Sequence, residues 1–377
     1  MNPRNAACRL LVGLASLALL AGCASGGSQT PAPTSSSPAG NPSASVATPT
    51  PSATPTTAPA PSAPTVVMTG DLAYEAANPV FEPGVLDVYA PAAAGPWPVV
   101  VMLHGGFGSK GDLAAHARGV ADLGFVVVSA TWGAGMPFGA PTYDQLLATG
   151  SQAACAVEFA RAHAAEYGGD PATMIVFGHS AGASTGAMVA FARPELSPGC
   201  LVDATLGPID ALVTWDGEWL AQTTYVGWDE RLAADPRVFD ALTPWTDLPE
   251  HKDLTVVMLS ETEPNADFNY ERPLPDPEAM DAFFAPRDPS GVLRAQLEAN
   301  DALADGILDL LESQQLLFSV LKAQGNPVSL DIQPDSNHIY LSDAGWKVFL
   351  AAFEKAAASH CPRCSFFLPL VAMTSGP

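Results

Sequence analysis

Basic charge is what this chain has least of. Sixteen Lys and Arg stand against 39 Asp and Glu, a formal net charge of −23. A surface of that sign repels phosphate backbones, which excludes nucleic acid as a partner and leaves uncharged or cationic ligands. Long hydrophobic runs are missing too. The N-terminal apolar run, residues 10–20, is too short to cross a bilayer, which takes about 20 residues. Seven histidines are scattered with no metal-ligand spacing, so neither a metal nor a cofactor is expected. No segment repeats, which excludes solenoids and propellers. Residues 24–65 contain no charge and no aromatic ring, only Ser, Thr, Pro, Ala, Gly and little else. Such a stretch cannot bury enough apolar surface to offset its ordering, and it reads as an extended tether.

Arg4 and Arg9, the apolar run after them and Leu20-Ala21-Gly22-Cys23 read as an export signal over residues 1–22. The tetrapeptide resembles the lipobox of bacterial lipoproteins. That resemblance implies cleavage before Cys23 and a diacylglyceryl group on its thiol. It also implies a membrane-anchored protein on the bacterial surface or in the periplasm, held through residues 23–65. Each buried methylene of the anchor contributes about 0.8 kcal/mol. An ordinary signal with an incidental cysteine is the alternative. Loss of Arg4 and Arg9 leaves 14 basic against 39 acidic residues, a charge of −25. Residues 66–377 suffice for one large domain, expected to be monomeric.

Export permits disulfides. Cys155, Cys200, Cys361 and Cys364 allow three pairings, of which Cys155–Cys200 with Cys361–Cys364 is the first expectation. Cys361-Pro362-Arg363-Cys364 could instead be read as a redox pair, but nothing around it has the pattern of a thioredoxin-like βαβ unit.

A continuous apolar run at 99–103 predicts a strand covered on both faces, 125–130 reads as the next buried strand, and 173–177, 201–206, 254–259 and 328–332 read as further strands. A weaker alternation at 85–89 predicts an antiparallel edge strand. Helical patterns at 112–123, 143–167, 181–191 and 344–358 alternate with them. The combination predicts an α/β fold with a mostly parallel central sheet and helices on both faces. Two insertions interrupt it, at 208–250 and 261–300. The first holds Trp215, Trp219, Trp228 and Trp245. Together with Trp132 these are expected to wall a substrate site, because ligands bind at strand C-terminal ends in open α/β sheets.

The chemistry centres on Gly178-His179-Ser180-Ala181-Gly182. An apolar strand precedes it and a small-residue helix follows, which is the strand–turn–helix context of a nucleophile elbow. Ser180 needs a base, and His338 on the loop after the last strand is the expected one. Two amides are needed for an oxyanion. Ala181 offers one. His104-Gly105-Gly106-Phe107-Gly108, directly after residues 99–103, offers the other from Phe107 or, failing that, Gly106.

Over residues 98–358 these motifs resemble the α/β-hydrolase esterase family, near its dienelactone-hydrolase-like and feruloyl-esterase-like carboxylesterases, with polyester-cleaving relatives. The resemblance implies an α/β-hydrolase fold, a Ser-Asp-His chain order and a structural role for His104, whose rival role is general base. It places the acid after the strand at 254–259, or about thirty residues before the histidine. Asp305 fits the second regularity best. Asp267, Glu261 and Glu263 remain alternatives. The expected activity is hydrolysis of an uncharged carboxylic ester, small or polymeric, through an acyl-enzyme. A peptidase or amidase of the same fold, or an inactive surface binder, are the competing readings.

Overall fold

Burial on both faces turns the valine-rich runs into strands. The computed structural model describes residues 65–135, 142–217, 235, 237–238, 251–261, 272–273, 291–299, 307–308 and 310–360. The signal, Cys23, nearly all of the tether, Cys361 and Cys364 lie outside the described residues, as does most of both expected insertions. Eight strands build the main sheet: β1 (Val66–Ala73), β2 (Val85–Pro91), β3 (Trp97–Leu103), β4 (Val126–Ala130), β5 (Gly169–His179), β6 (Ala211–Trp215), β7 (Thr255–Glu261) and β8 (Val328–Gln333). Their order is β1-β2-β4-β3-β5-β6-β7-β8. The β1–β2 and β2–β4 pairs are antiparallel. Every later pair is parallel. This is the expected mixed, mostly parallel α/β sheet. Residues 85–89 are antiparallel as expected but not at the edge, since β1 covers them.

Side chains alternate across the sheet with period 2. Val99, Val101, Leu103, Met174, Val176, Leu212, Val256 and Met258 join one core with α2 (Tyr143–His163) and α5 (Leu310–Gln324). Val100, Met102, Ile175, Phe177, Val213, Val257 and Leu259 join the other with α1 (Ala114–Asp122) and α6 (Asp343–Ala358). Between these helices fall α3 (Ala181–Ala187) and α4 (Val292–Ala299). Local chemistry starts the helices. Thr142 and Gln145 form a reciprocal capping box at α2. Ser342 caps α6 by accepting from the Gly345 amide at 2.9 Å. No helix among the described residues is long and apolar enough to cross a membrane.

The strand expected at 201–206 is absent. Leu201 is 51% exposed, and its amide donates to the Tyr74 carbonyl at 3.0 Å. Cys200 bridges Glu75 and is bonded to Cys155. These ties hold the segment against the chain beyond β1, away from the sheet. The strand beside β5 is β6, inside the stretch read as the 208–250 insertion, with residues 211–215 all buried. The Cys155–Cys200 pairing itself is as expected.

Candidate active site

The site assembles where β3, β5, β6, β7 and β8 end. Ser180 follows β5 at φ 54°, ψ −123° and opens α3. A non-glycine residue with positive φ costs on the order of 1–3 kcal/mol and persists only where its surroundings over-determine it. Here they do. The Ser180 amide donates to the Trp215 carbonyl at 2.9 Å, and its carbonyl accepts from Ala183 at 2.9 Å. A Cβ on Gly178 would lie 2.2 Å from the Gly182 carbonyl oxygen, and one on Gly182 would lie 2.2 Å from that of Leu103. Both small residues are therefore required for the sharp bend and for its contact with the loop after β3.

That loop lies against the serine: a Cβ on Gly105 would be 3.4 Å from the Ser180 Cβ. It turns tightly, with the Gly108 amide donating to the Gly105 carbonyl at 3.2 Å. Phe107 sits in the left-handed region at φ 61°, with its side chain 86% exposed. His104 is buried beneath. A carbonyl can only accept, so His104 Nδ1–H donates to the Gly105 oxygen at 2.7 Å. Its Nε2 then accepts from the Trp132 amide at 3.3 Å. Burial lowers its pKa. With both nitrogens engaged, His104 is a brace for the loop and is unavailable as a base.

His338 lies on the loop after β8, closed by Asn337 and Tyr340, which exchange backbone hydrogen bonds of 2.9 and 3.2 Å. Its imidazole is buried, with Nδ1 3.4 Å from Asp216 Oδ2. That is slightly beyond a short hydrogen bond, as is common before substrate tightens a site. The His338 carbonyl accepts from His179 Nε2–H at 2.7 Å, and the two rings lie 4.7 Å apart. Deep burial, with the nearby His338 adding to it, pushes the His179 pKa well down, so its ring is neutral. The residue before the serine thus clamps the backbone of the loop that carries the histidine.

Asp216 is the residue sequence reasoning missed. It follows β6 directly, at φ 47°, fully buried. Its amide donates to the Leu259 carbonyl at 3.0 Å, and its Oδ1 accepts from the Glu261 amide at 3.0 Å. Asp is among the few residues that tolerate this conformation. The signal was present as Val213-Thr214-Trp215-Asp216-Gly217, an apolar run closed by a turn pair. Glu261, a weighed alternative, ends β7 and lies beside the pair. Its carboxyl pKa is pushed up to about 8, by burial first and by the Asp216 charge second. Asp305, Asp267 and Glu263 lie outside the described residues.

Two expected wall residues are corrected. Trp132 is buried and stacks on His104 with ring centroids 5.3 Å apart. Trp215 belongs to β6 and packs under His179 at 4.3 Å. Both serve as floor, because strand and loop pairing turn them inward. Trp219, Trp228 and Trp245 lie outside the described residues. The exposed apolar side chains on the described site loops are Phe107, Ile339 and Tyr340, the last two 63% and 58% exposed.

Residues 86–206 match the BD-FAE family model. The match takes in the glycine loop and the elbow and ends before Asp216, Glu261 and His338. No curated protein matches the chain. Among solved structures, esterase B from Lactobacillus rhamnosis is similar at 13% identity and a TM-score of 0.53, covering 78% of this chain and 86% of that one. A thermophilic esterase from the planctomycete Thermogutta terrifontis, Est2, is similar at 17% identity and a TM-score of 0.53, covering 82% and 95%. Its butyrate-bound form aligns at 16% identity, TM-score 0.51, covering 82% and 96%. At these identities the likeness establishes a shared fold.

Proposed function

We propose that the chain is a serine hydrolase of uncharged carboxylic esters, with Ser180 as nucleophile, His338 as general base and Asp216 as the acid. One observation carries the reading. Ser180 is held at positive φ against the Gly105 loop, while the buried imidazole clamped by its neighbour His179 faces a buried carboxylate. In this reading Asp216 receives Nδ1–H of His338 and fixes the tautomer, so the Nε2 lone pair takes the Ser180 proton as the oxygen attacks the ester carbonyl. The amides of Ala181 and Phe107 receive the oxyanion, each contributing about 3 kcal/mol. His338 then gives its proton to the leaving alcohol and activates the water that hydrolyses the acyl-enzyme. The acidic surface disfavours anionic esters. Exposed Phe107, Ile339 and Tyr340 favour apolar ones, including the surface of a polymeric ester. The similarity of Leu20-Ala21-Gly22-Cys23 to a lipobox supports a lipid-anchored location for this activity.

The test is hydrolysis of p-nitrophenyl butyrate by wild type and Ser180→Ala, with labelling by a fluorophosphonate. Turnover and labelling by wild type, both abolished in the variant, are expected. A folded wild type that neither turns over nor labels refutes the reading. Cys23→Ala with a palmitate-analogue label tests the anchor, and unchanged labelling overturns it.

A further inference from the structure

Two carboxyls, not one, converge on His338. Asp216, Glu261 and His338 each present a ligating atom, and all three atoms lie within 4.8 Å of one another. All three side chains are buried. Two buried carboxylates at this separation cannot both stay ionised, since their repulsion adds to the desolvation each pays. The backbone has built the pairing in: the Glu261 amide donates to Asp216 Oδ1 at 3.0 Å, β6 and β7 run side by side with Trp215 opposite Leu259, and Glu261 Oε2 and Asp216 Oδ2 are both buried with no other hydrogen-bond partner, near the His338 backbone amide.

We infer that Glu261 is a positioning residue for the hydrolysis proposed above, keeping a proton that it donates to Asp216 while its other oxygen accepts from the His338 amide. The pair carries one negative charge in all. The neutral carboxyl ties the acid on β6 to the histidine loop after β8, so the imidazole is held at Nδ1 by Asp216, at its carbonyl by His179 and at its amide by Glu261. Besides Asp216 and His338 themselves, the described neighbours offer the proton no other owner. From β5 comes His179, neutral and already donating to the His338 carbonyl. The neighbour opposite Glu261 on β8 is Gln333, which does not titrate. Helix α5 brings Ser313 and Gln314 as its buried polar side chains, and α6 turns an apolar face of Phe349, Ala352 and Phe353 inward.

When Glu261 ionises, the tie to Asp216 becomes a repulsion and the histidine loop loses one of its three anchors. Burial and the Asp216 charge put that event near pH 8. The inference rests on the serine-hydrolase reading, and its test separates the two. With the full chain, kcat/KM for p-nitrophenyl butyrate is followed from pH 5 to 10 in wild type, Glu261→Gln and Glu261→Leu. Wild type is expected to lose activity above about pH 8. Glu261→Leu is expected to lose activity about tenfold or more at every pH. Glu261→Gln, which keeps a neutral donor and acceptor, is expected to recover most of that loss and to lack the alkaline fall. An independent readout is the infrared carbonyl band of a protonated carboxyl, expected to vanish near pH 8 in wild type and to be missing in Glu261→Gln. An alkaline fall retained in Glu261→Gln, or a carboxyl band unaffected by it, overturns the inference. If wild type shows no esterase activity but the band titrates as expected, the hydrolase reading fails and the shared proton stands.

Discussion

Asp216→Asn is the sharpest perturbation this site offers. The carboxamide is nearly isosteric, and its oxygen can keep accepting the Glu261 amide now made at 3.0 Å. Its NH2 is then left toward His338 Nδ1, where Asp216 Oδ2 stands at 3.4 Å. Two donors cannot face each other, so the imidazole must take the tautomer with Nδ1 bare and Nε2 protonated. A protonated Nε2 cannot remove the Ser180 proton. The charge that stabilised the imidazolium is gone as well. In a Ser-His-Asp triad such a change lowers kcat by about 10⁴-fold, about 5.5 kcal/mol of transition-state stabilisation. Folding should change little, because shape and the buried acceptor are retained. Asp305→Asn is the necessary companion, since the family resemblance favours Asp305 as the acid. It is expected to stay within a few-fold of wild type. The assay is steady-state hydrolysis of p-nitrophenyl butyrate, with circular dichroism confirming the fold of each variant. If Asp305→Asn collapses and Asp216→Asn does not, the assignment of the acid is wrong.

Three further outcomes follow from the same geometry. Gly182→Ala drives a Cβ to 2.2 Å from the Leu103 carbonyl oxygen and 2.4 Å from that of His104, both backbone atoms, so a loss of about 3 kcal/mol is expected by urea unfolding, with activity falling as Ser180 moves; near-wild-type stability would contradict the close packing of elbow and loop. The Cys155–Cys200 bond spans 45 residues of chain, and replacing both cysteines by serine should cost about 4 kcal/mol through restored unfolded-state entropy, unless reducing agent leaves the wild-type melting curve unmoved. His116 sits among Trp215, Trp346 and Phe349, and burial lowers its pKa to about 4. The unfolded chain therefore binds the extra proton first, so stability present above pH 6.5 is lost as pH falls toward 4, by on the order of 3 kcal/mol. His116→Phe should flatten that acid limb in pH-dependent unfolding, and an unchanged slope would show that His116 is not its source.

By itself the sequence determined what short stretches of chain can dictate. The valine-rich runs demanded a sheet covered on both faces. Glycines around Ser180 permitted only a bend so tight that the serine stands at its tip, and the place of His338 between the last strand and the last helix made it the expected base. Those are local relations, carried by periodicity, capping and conformational freedom. The carboxyl proposed as the acid was decided by pairing. Residues 201–206 look as strand-like as residues 211–215, and nothing local separates them. The Cys155–Cys200 bond and the contact with Tyr74 take the first out of the sheet, and burial between β5 and β7 draws the second in. That five-residue choice puts Asp216, rather than a more distant carboxyl, at the end of a strand beside the elbow. It also turns Trp215 inward and sets Glu261 against Asp216. Which carboxyl meets an imidazole more than a hundred residues away is a matter of strand order and register, and these exist only once the sheet has formed.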